Sequence, residues 1–307
     1  ACGKLFSNLF GMDYMLAMII SAVVIVGYTA LGGFLAASTT DLIQSCVMTI
    51  ALVVVLCFGV NVAGGLDAVV QNAQTLPGYL AMNASYDAAS NAAVPYGPLT
   101  IVSTLAWGLG YFGMPHILLR FMAIENEQKL TTSRRVATVW VVISMFIAVL
   151  IGMVGLGMTN VGALPVLEGS ASETVIVQIS SLMAEHGVLL ALAAGVTLAG
   201  ILAATMSTAD SQLLAASSSV SKDLMWGVFK VKMTEKQSML IARSTLLVIA
   251  AIAIILARDP DSSVFKIVSF AWAGFGAAFG PVVLFALFWK RANKWGALCG
   301  MISGGLG

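Results

Sequence analysis

The chain of 307 residues is 59% hydrophobic and only 9% charged, with 15 basic and 14 acidic residues and a formal net charge of +1. Its mean hydropathy is +0.97. About a quarter of the residues in a soluble domain are charged, so this composition excludes an ordinary soluble fold and defines a polytopic membrane protein. The charges are too few and scattered to form a nucleic-acid face, and no phosphate-gripping glycine loop is present. Cys2, Cys46, Cys57 and Cys299 show no CxxC spacing, which leaves little ground for a disulfide or thiolate-metal reading. The chain opens on ACGKLFSN and stops on GMISGGLG inside an apolar run, so it reads as a piece of a longer protein.

Apolar runs of roughly 20 residues, the length that crosses about 30 Å of hydrocarbon, predict seven spans and a truncated eighth. They lie at about 14–31, 41–63, 98–117, 136–159, 187–221, 239–257, 264–289 and 296–307. Asp41 opens the second run in SerThrThrAsp, where an N-cap explains it completely. A cation ligand is the other reading, and it gains force only if the second and fifth spans touch. The stretch 64–97 is long and rich in Ala, Asn and Pro, so it reads as a plain external loop, with a cap over an outer vestibule as the alternative.

The third run carries Gly108, Gly110, Gly113 and Pro115 close together, which predicts a broken helix. Trp107, Tyr111 and Pro115 lie four apart, so up to the break they share a face, suited to enclosing a small apolar-bodied solute. Interfacial anchoring is the ordinary reading of such aromatics. His116 and Arg120 stand one turn apart beyond the break; Arg120 is most simply a snorkelling charge, and a helix-end His is more often structural than a proton relay.

Basic residues follow the third span (Arg120, Lys129, Arg134, Arg135), the fifth (Lys222, Lys230, Lys232, Lys236, Arg243) and the seventh (Lys290, Arg291, Lys294). By the positive-inside rule these connections are cytoplasmic. The opposite connections carry Asp67 and Asp87, then Glu168, Glu173 and Glu185, then Asp259 and Asp261, so they face outward. Residues 168–186 include ETVIVQISSLMAE, an amphipathic run too short to span.

The chain is organised around GVTLAGILAATMSTADSQLLAASSSVSKD at 195–223. Ser207, Asp210 and Ser211 share a helix face, with Thr208 alongside and Ser218 further down the stripe. An ionisable group inside a span costs roughly 3 kcal/mol on insertion scales, which makes Asp210 a functional-site hypothesis. Back-bonding of the hydroxyls to their own helix is the plain alternative.

Taken together, YTALGGFLAASTTDLIQ at 28–44, WGLGYFGMPHILLRFMA at 107–123, LAATMSTADSQLL at 202–214 followed by SVSKDL, and AWAGFGAAFGPVVLF at 271–285 resemble the sodium/solute symporter family, and within it the sodium/proline symporters. The resemblance implies an all-α polytopic membrane protein with a core of two five-helix inverted repeats. Residues 1–63 would hold the last two helices of the first repeat, 64–97 an external loop, 98–289 the second repeat, and 290–307 the start of a following span. It implies that Ser207, Thr208 and the Ala204 carbonyl bind sodium, the coupling ion, with two further ligands from a first core helix that this sequence does not contain. Asp41, Asp210 and Ser211 match positions that serve a second cation with Ser207 in some members. Trp107, Tyr111 and Pro115 match solute-contacting positions.

Met114 replaces the polar Gln that some proline carriers have before the Pro, which leaves open which small amino acid is carried. The implied function is sodium-coupled import of proline or a similar amino acid across the plasma membrane by alternating access. The partners are the solute and the lipid bilayer, with no nucleic acid; oligomeric state is not legible. Alternatives are a transporter-like sensor module and a proton-coupled carrier of another small organic solute. An enzyme would need a convergent nucleophile and base, which the chain lacks.

Overall fold

A computed structural model describes residues 2–87, 89–259 and 262–306. Asp261, counted among the outward-facing acids, and Gly307, the end of the eighth run, lie outside the described residues. The chain divides into two compact bodies, 1–62 with 138–262 and 63–137 with 263–307. Among the described residues six helices are long and apolar enough to cross a membrane, so the third and eighth predicted runs are not membrane-length helices.

In the first body α1 (Cys2–Phe10) precedes α2 (Tyr14–Val62). The long α2 holds two membrane-length stretches, Tyr14–Leu35 and Ala37–Val62, and is kinked near the end of the first at the non-helical Gly33, with φ 64° and ψ −166°. That region of backbone space is essentially restricted to glycine. The residues at 32–40, which the hydropathy pattern leaves as a connection, are therefore helical on both sides of Gly33, with Thr39 and Thr40 hydroxyls donating back to the Leu35 and Ala37 carbonyls. Asp41 stands about two turns past Gly33, so the N-cap reading fails: the helix begins upstream of it.

The rest of this body is α7 (Glu127–Asn160, from residue 138 onward), a 3-10 turn at Gly169–Thr174, α8 (Val175–Glu185), α9 (Val188–Ser218) and α10 (Glu235–Leu256). Small residues set how closely these helices pack. A Cβ on Gly200 of α9 would stand 2.8 Å from Ala51 Cβ on α2, and one on Gly59 would press on Val154 of α7. Val55, Ile151, Val154, Met158, Ile179 and Met183 are buried around these contacts. Trp140 donates to the Thr49 hydroxyl at 2.9 Å. Beyond Ser218 the helix widens into a π-helical segment, Ser219–Val228, which the hydropathy pattern does not anticipate. A capping box of Thr234 and Gln237 then starts α10. The amphipathic run at 175–185 is a helix, α8, as its pattern suggests.

In the second body, α3 (Leu66–Thr75) is followed by an antiparallel hairpin of β1 (Ala84–Asp87) and β2 (Ala92–Pro95). The plain loop expected at 64–97 is thus a helix and a hairpin. Asp87 holds the hairpin tip by accepting from the Ser90 hydroxyl at 2.6 Å and the Ala89 amide at 3.2 Å; these bonds keep its carboxyl below the usual range. The third apolar run is α4 (Pro98–Leu105), α5 (Trp107–Gly110), a 3-10 turn at Tyr111–Gly113, an extended Met114, and α6 (Pro115–Met122). It packs on α11 (Val264–Phe288), which in turn packs on α12 (Lys294–Leu306).

Candidate functional sites

The two groups of candidate residues fall in different bodies. In the first body α9 presents an oxygen cluster. The Ser207 and Thr208 hydroxyls both donate to the Ala204 carbonyl, at 3.2 and 3.1 Å. Back-bonding of this kind is ordinary in a membrane helix. Its consequence here is that three uncharged oxygens gather within about one cation's reach, and hard cations take oxygen ligands. Ser207 is half-buried and Thr208 exposed.

One turn further along, Asp210 is fully buried. Its Oδ2 accepts from the Tyr28 hydroxyl on α2 at 2.8 Å, with the Met206 carbonyl 3.2 Å from the same hydroxyl. The Ser211 hydroxyl lies 3.2 Å from Asp210 Oδ1 and 2.7 Å from the Ser207 carbonyl. Asp41 is close enough to act electrostatically on both Tyr28 and Asp210. Gly200 on α9 packs against Ala51 and Met48 on α2, so the second and fifth predicted spans touch, the condition under which Asp41 gains a functional reading. Arg243, grouped by sequence with the connection after the fifth span, instead lies well inside α10 and donates to the Ala30 carbonyl at 3.1 Å. Ala30 is in the last turn before Gly33, where a helix end leaves carbonyls without their usual partners.

In the second body the broken helix carries an aromatic stack. Trp107 lies between Phe265 and Trp272, with centroids 5.6 and 5.9 Å away and planes nearly parallel. Tyr111 meets the edge of Trp272 at 5.0 Å, and the Trp272 indole N–H donates to the Trp107 carbonyl at 3.1 Å. A cavity of about 700 Å³ opens between α5 and α11, lined by Trp107, Gly110, Phe265, Ser269, Trp272 and Gly276 among others. Aromatic and small apolar surface with few polar groups is what encloses a compact solute. Pro115 starts α6 beyond the extended Met114, so it does not continue the face of Trp107 and Tyr111, and neither it nor Tyr111 lines the cavity. Glycine makes this packing possible: a Cβ on Gly110 would fall inside the Trp272 ring, and one on Gly113 onto the Phe275 carbonyl.

Sequence reasoning singled out neither Tyr28, Arg243 nor Trp272 as a site residue. Tyr28 and Trp272 lie inside stretches that carry the family resemblance, and Arg243 is a charge within an apolar run; each signal was present but pointed to no partner.

A profile of the Sodium:solute symporter family matches residues 1–304, and the chain belongs to that family. It is 39% identical over 302 residues to the osmoregulated proline transporter OpuE of Bacillus subtilis, covering 98% of this chain and 58% of that protein. It is 40% identical over 315 aligned positions to the sodium/proline symporter of Haemophilus influenzae, covering 99% and 58% respectively. The chain thus spans rather more than half the length of the curated relatives it matches. A solved structure of a sodium-coupled sialic acid symporter in a substrate-bound, outward-open state superposes with a TM-score of 0.71 at 16% identity, over 98% of this chain and 67% of that one. The polytopic all-α symporter fold expected from the sequence is the fold of the chain.

Proposed function

We propose that the protein to which this chain belongs imports proline or a similar small amino acid by sodium-coupled alternating access. Family membership and relatives named for sodium and proline support the class of solute and ion. The observation that carries the ion reading is the convergence of the Ser207 and Thr208 hydroxyls on the Ala204 carbonyl. Sodium entering that cluster takes up oxygen lone pairs that the helix itself leaves free, and completes its shell with ligands from outside this sequence. Trp107 forms the aromatic side of the solute site, Tyr111 supports it from behind through the edge of Trp272, and Pro115 fixes the backbone where the helix resumes. Coupling requires only that sodium bind one conformational state better; about 1–3 kcal/mol gives 5- to 150-fold linkage. Midplane sites at broken helices are the arrangement inverted-repeat transporters use. On this reading 1–63 closes the first repeat, 98–289 forms the second, and the connections after residues 120, 222 and 290 face the cytoplasm of a plasma-membrane protein.

A second coupling ion has its own support. Asp210, Ser211 and Tyr28 form a buried hydrogen-bonded set with Asp41 in electrostatic reach, which suits either a second sodium or a proton. Uptake by the full-length protein in proteoliposomes, with sodium and proton gradients imposed separately across a panel of amino acids, tests both. Uptake driven by the proton gradient alone would remove the sodium reading.

A further inference from the structure

The turn between α11 and α12 borders an open cavity of about 650 Å³ with two kinds of wall. Val282, Phe285 and Gly300 give it apolar wall, and Trp289, Arg291 and Lys294 line it as well. No Asp or Glu follows Asp261 in the sequence, so nothing acidic on α11, α12 or their connection neutralises Arg291 and Lys294. The turn itself is held by Asn293, whose side-chain oxygen accepts from the Trp295 and Gly296 amides at 3.1 and 2.9 Å and whose amide donates to the Arg291 carbonyl at 3.3 Å. Those bonds already satisfy backbone donors at the start of α12, so the attraction left for an anion is side-chain charge. Lys294 Nζ lies 5.1 Å from the centre of the Trp295 ring. Trp289 and Trp295 are exposed, as amphipathic rings are at the boundary between lipid and water.

Topology alone accounts for bases in this connection. It does not require that two of them share a cavity with apolar wall from α11 and α12. We infer that this cavity holds the headgroup and first methylenes of an anionic phospholipid drawn from the surrounding bilayer. Arg291 and Lys294 meet the phosphate through charge-assisted hydrogen bonds, and Val282 and Phe285 lie along the chains. The site is independent of which ion or solute the protein carries.

Native mass spectrometry of the full-length protein released from vesicles of equal phosphatidylglycerol and phosphatidylcholine tests it. Phosphatidylglycerol is retained in preference, and the preference falls by roughly thirtyfold in Arg291→Gln/Lys294→Gln, about fivefold for each base at the surface. Ala286→Trp, which fills the cavity while leaving both basic residues, lowers phosphatidylglycerol retention as well, and decides the matter if the double variant does not fold. Glycerol 3-phosphate at millimolar concentration, the same anion without chains, leaves the lipid bound; displacement by it would make this a free-phosphate site. Equal retention of the two lipids, or retention unchanged in either variant, overturns the inference.

Discussion

The Tyr28 hydroxyl on the first half of α2 stands 2.8 Å from Asp210 Oδ2 on α9, so the costliest side chain in the first body is matched by a donor from a segment 182 residues away in sequence. Tyr28→Phe leaves that carboxylate short of a partner, which costs about 1–3 kcal/mol for a buried polar group. A fall in the melting temperature of the purified protein, together with altered cation dependence of uptake, is the expected result. Wild-type behaviour on both counts would mean that the bond has no part in the site.

Ser207→Ala and Thr208→Ala each remove one of the two hydroxyls gathered on the Ala204 carbonyl. In the full-length protein either change should raise the sodium concentration needed for half-maximal uptake by roughly tenfold or more, as loss of a ligand worth about 1.4 kcal/mol would, while expression is spared. Thr208→Ser should restore most of the affinity. Sodium dependence unchanged in both alanine variants counts against the ligand assignment.

Trp272→Phe keeps a ring against Trp107 but removes the indole donor to the Trp107 carbonyl. The loss of about 1 kcal/mol should appear as weaker solute affinity with sodium affinity nearly unchanged. Trp107→Ala, which opens the stack with Phe265 and Trp272, should weaken solute binding further. Should either variant alter sodium affinity more than solute affinity, the two sites have been exchanged.

Gly110→Ala places a methyl inside the Trp272 ring and Gly113→Ala one against the Phe275 carbonyl, whereas a Cβ on Gly108 meets nothing within 4 Å. Overpacking costs about 1–3 kcal/mol. Gly110→Ala and Gly113→Ala should therefore lower the yield of monodisperse protein, with Gly108→Ala as the tolerated control. Equal tolerance of all three would contradict the close packing of α5 on α11.

Gly33→Ala forces a side chain into backbone space reserved for glycine, at about 1–3 kcal/mol. Arg243→Met removes the donor to the Ala30 carbonyl beside the same break. Because both act on one element, the double variant should be less destabilised than the sum of the singles; strict additivity in thermal melts would show that they are independent.

Six of the predicted spans, the break in the third run and the hydroxyl strip of α9 are legible in the sequence because each depends on local pattern: run length against bilayer thickness, glycine and proline against helix continuity, and spacing against a period of 3.6. The connection at 32–40 is not separable from the helix by hydropathy, which marks a polar dip and cannot register a helix that kinks at one glycine. For the same reason Asp41 looked like a cap. Residues 64–97 lacked strong apolar periodicity, so a short helix and a two-stranded hairpin passed for loop.

By itself, then, the sequence determined a bilayer-spanning all-α chain, its likeness to one transporter family, and the side chains whose burial in lipid demands a purpose. Only the tertiary structure decided which of them meet: Tyr28 with Asp210, Arg243 with the Ala30 carbonyl, Trp272 with Trp107 and Tyr111. The reason is physical. Periodicity fixes the direction of a side chain on its own helix, but a partner more than a hundred residues away is chosen by how helices pack, and that depends on contacts no local pattern encodes.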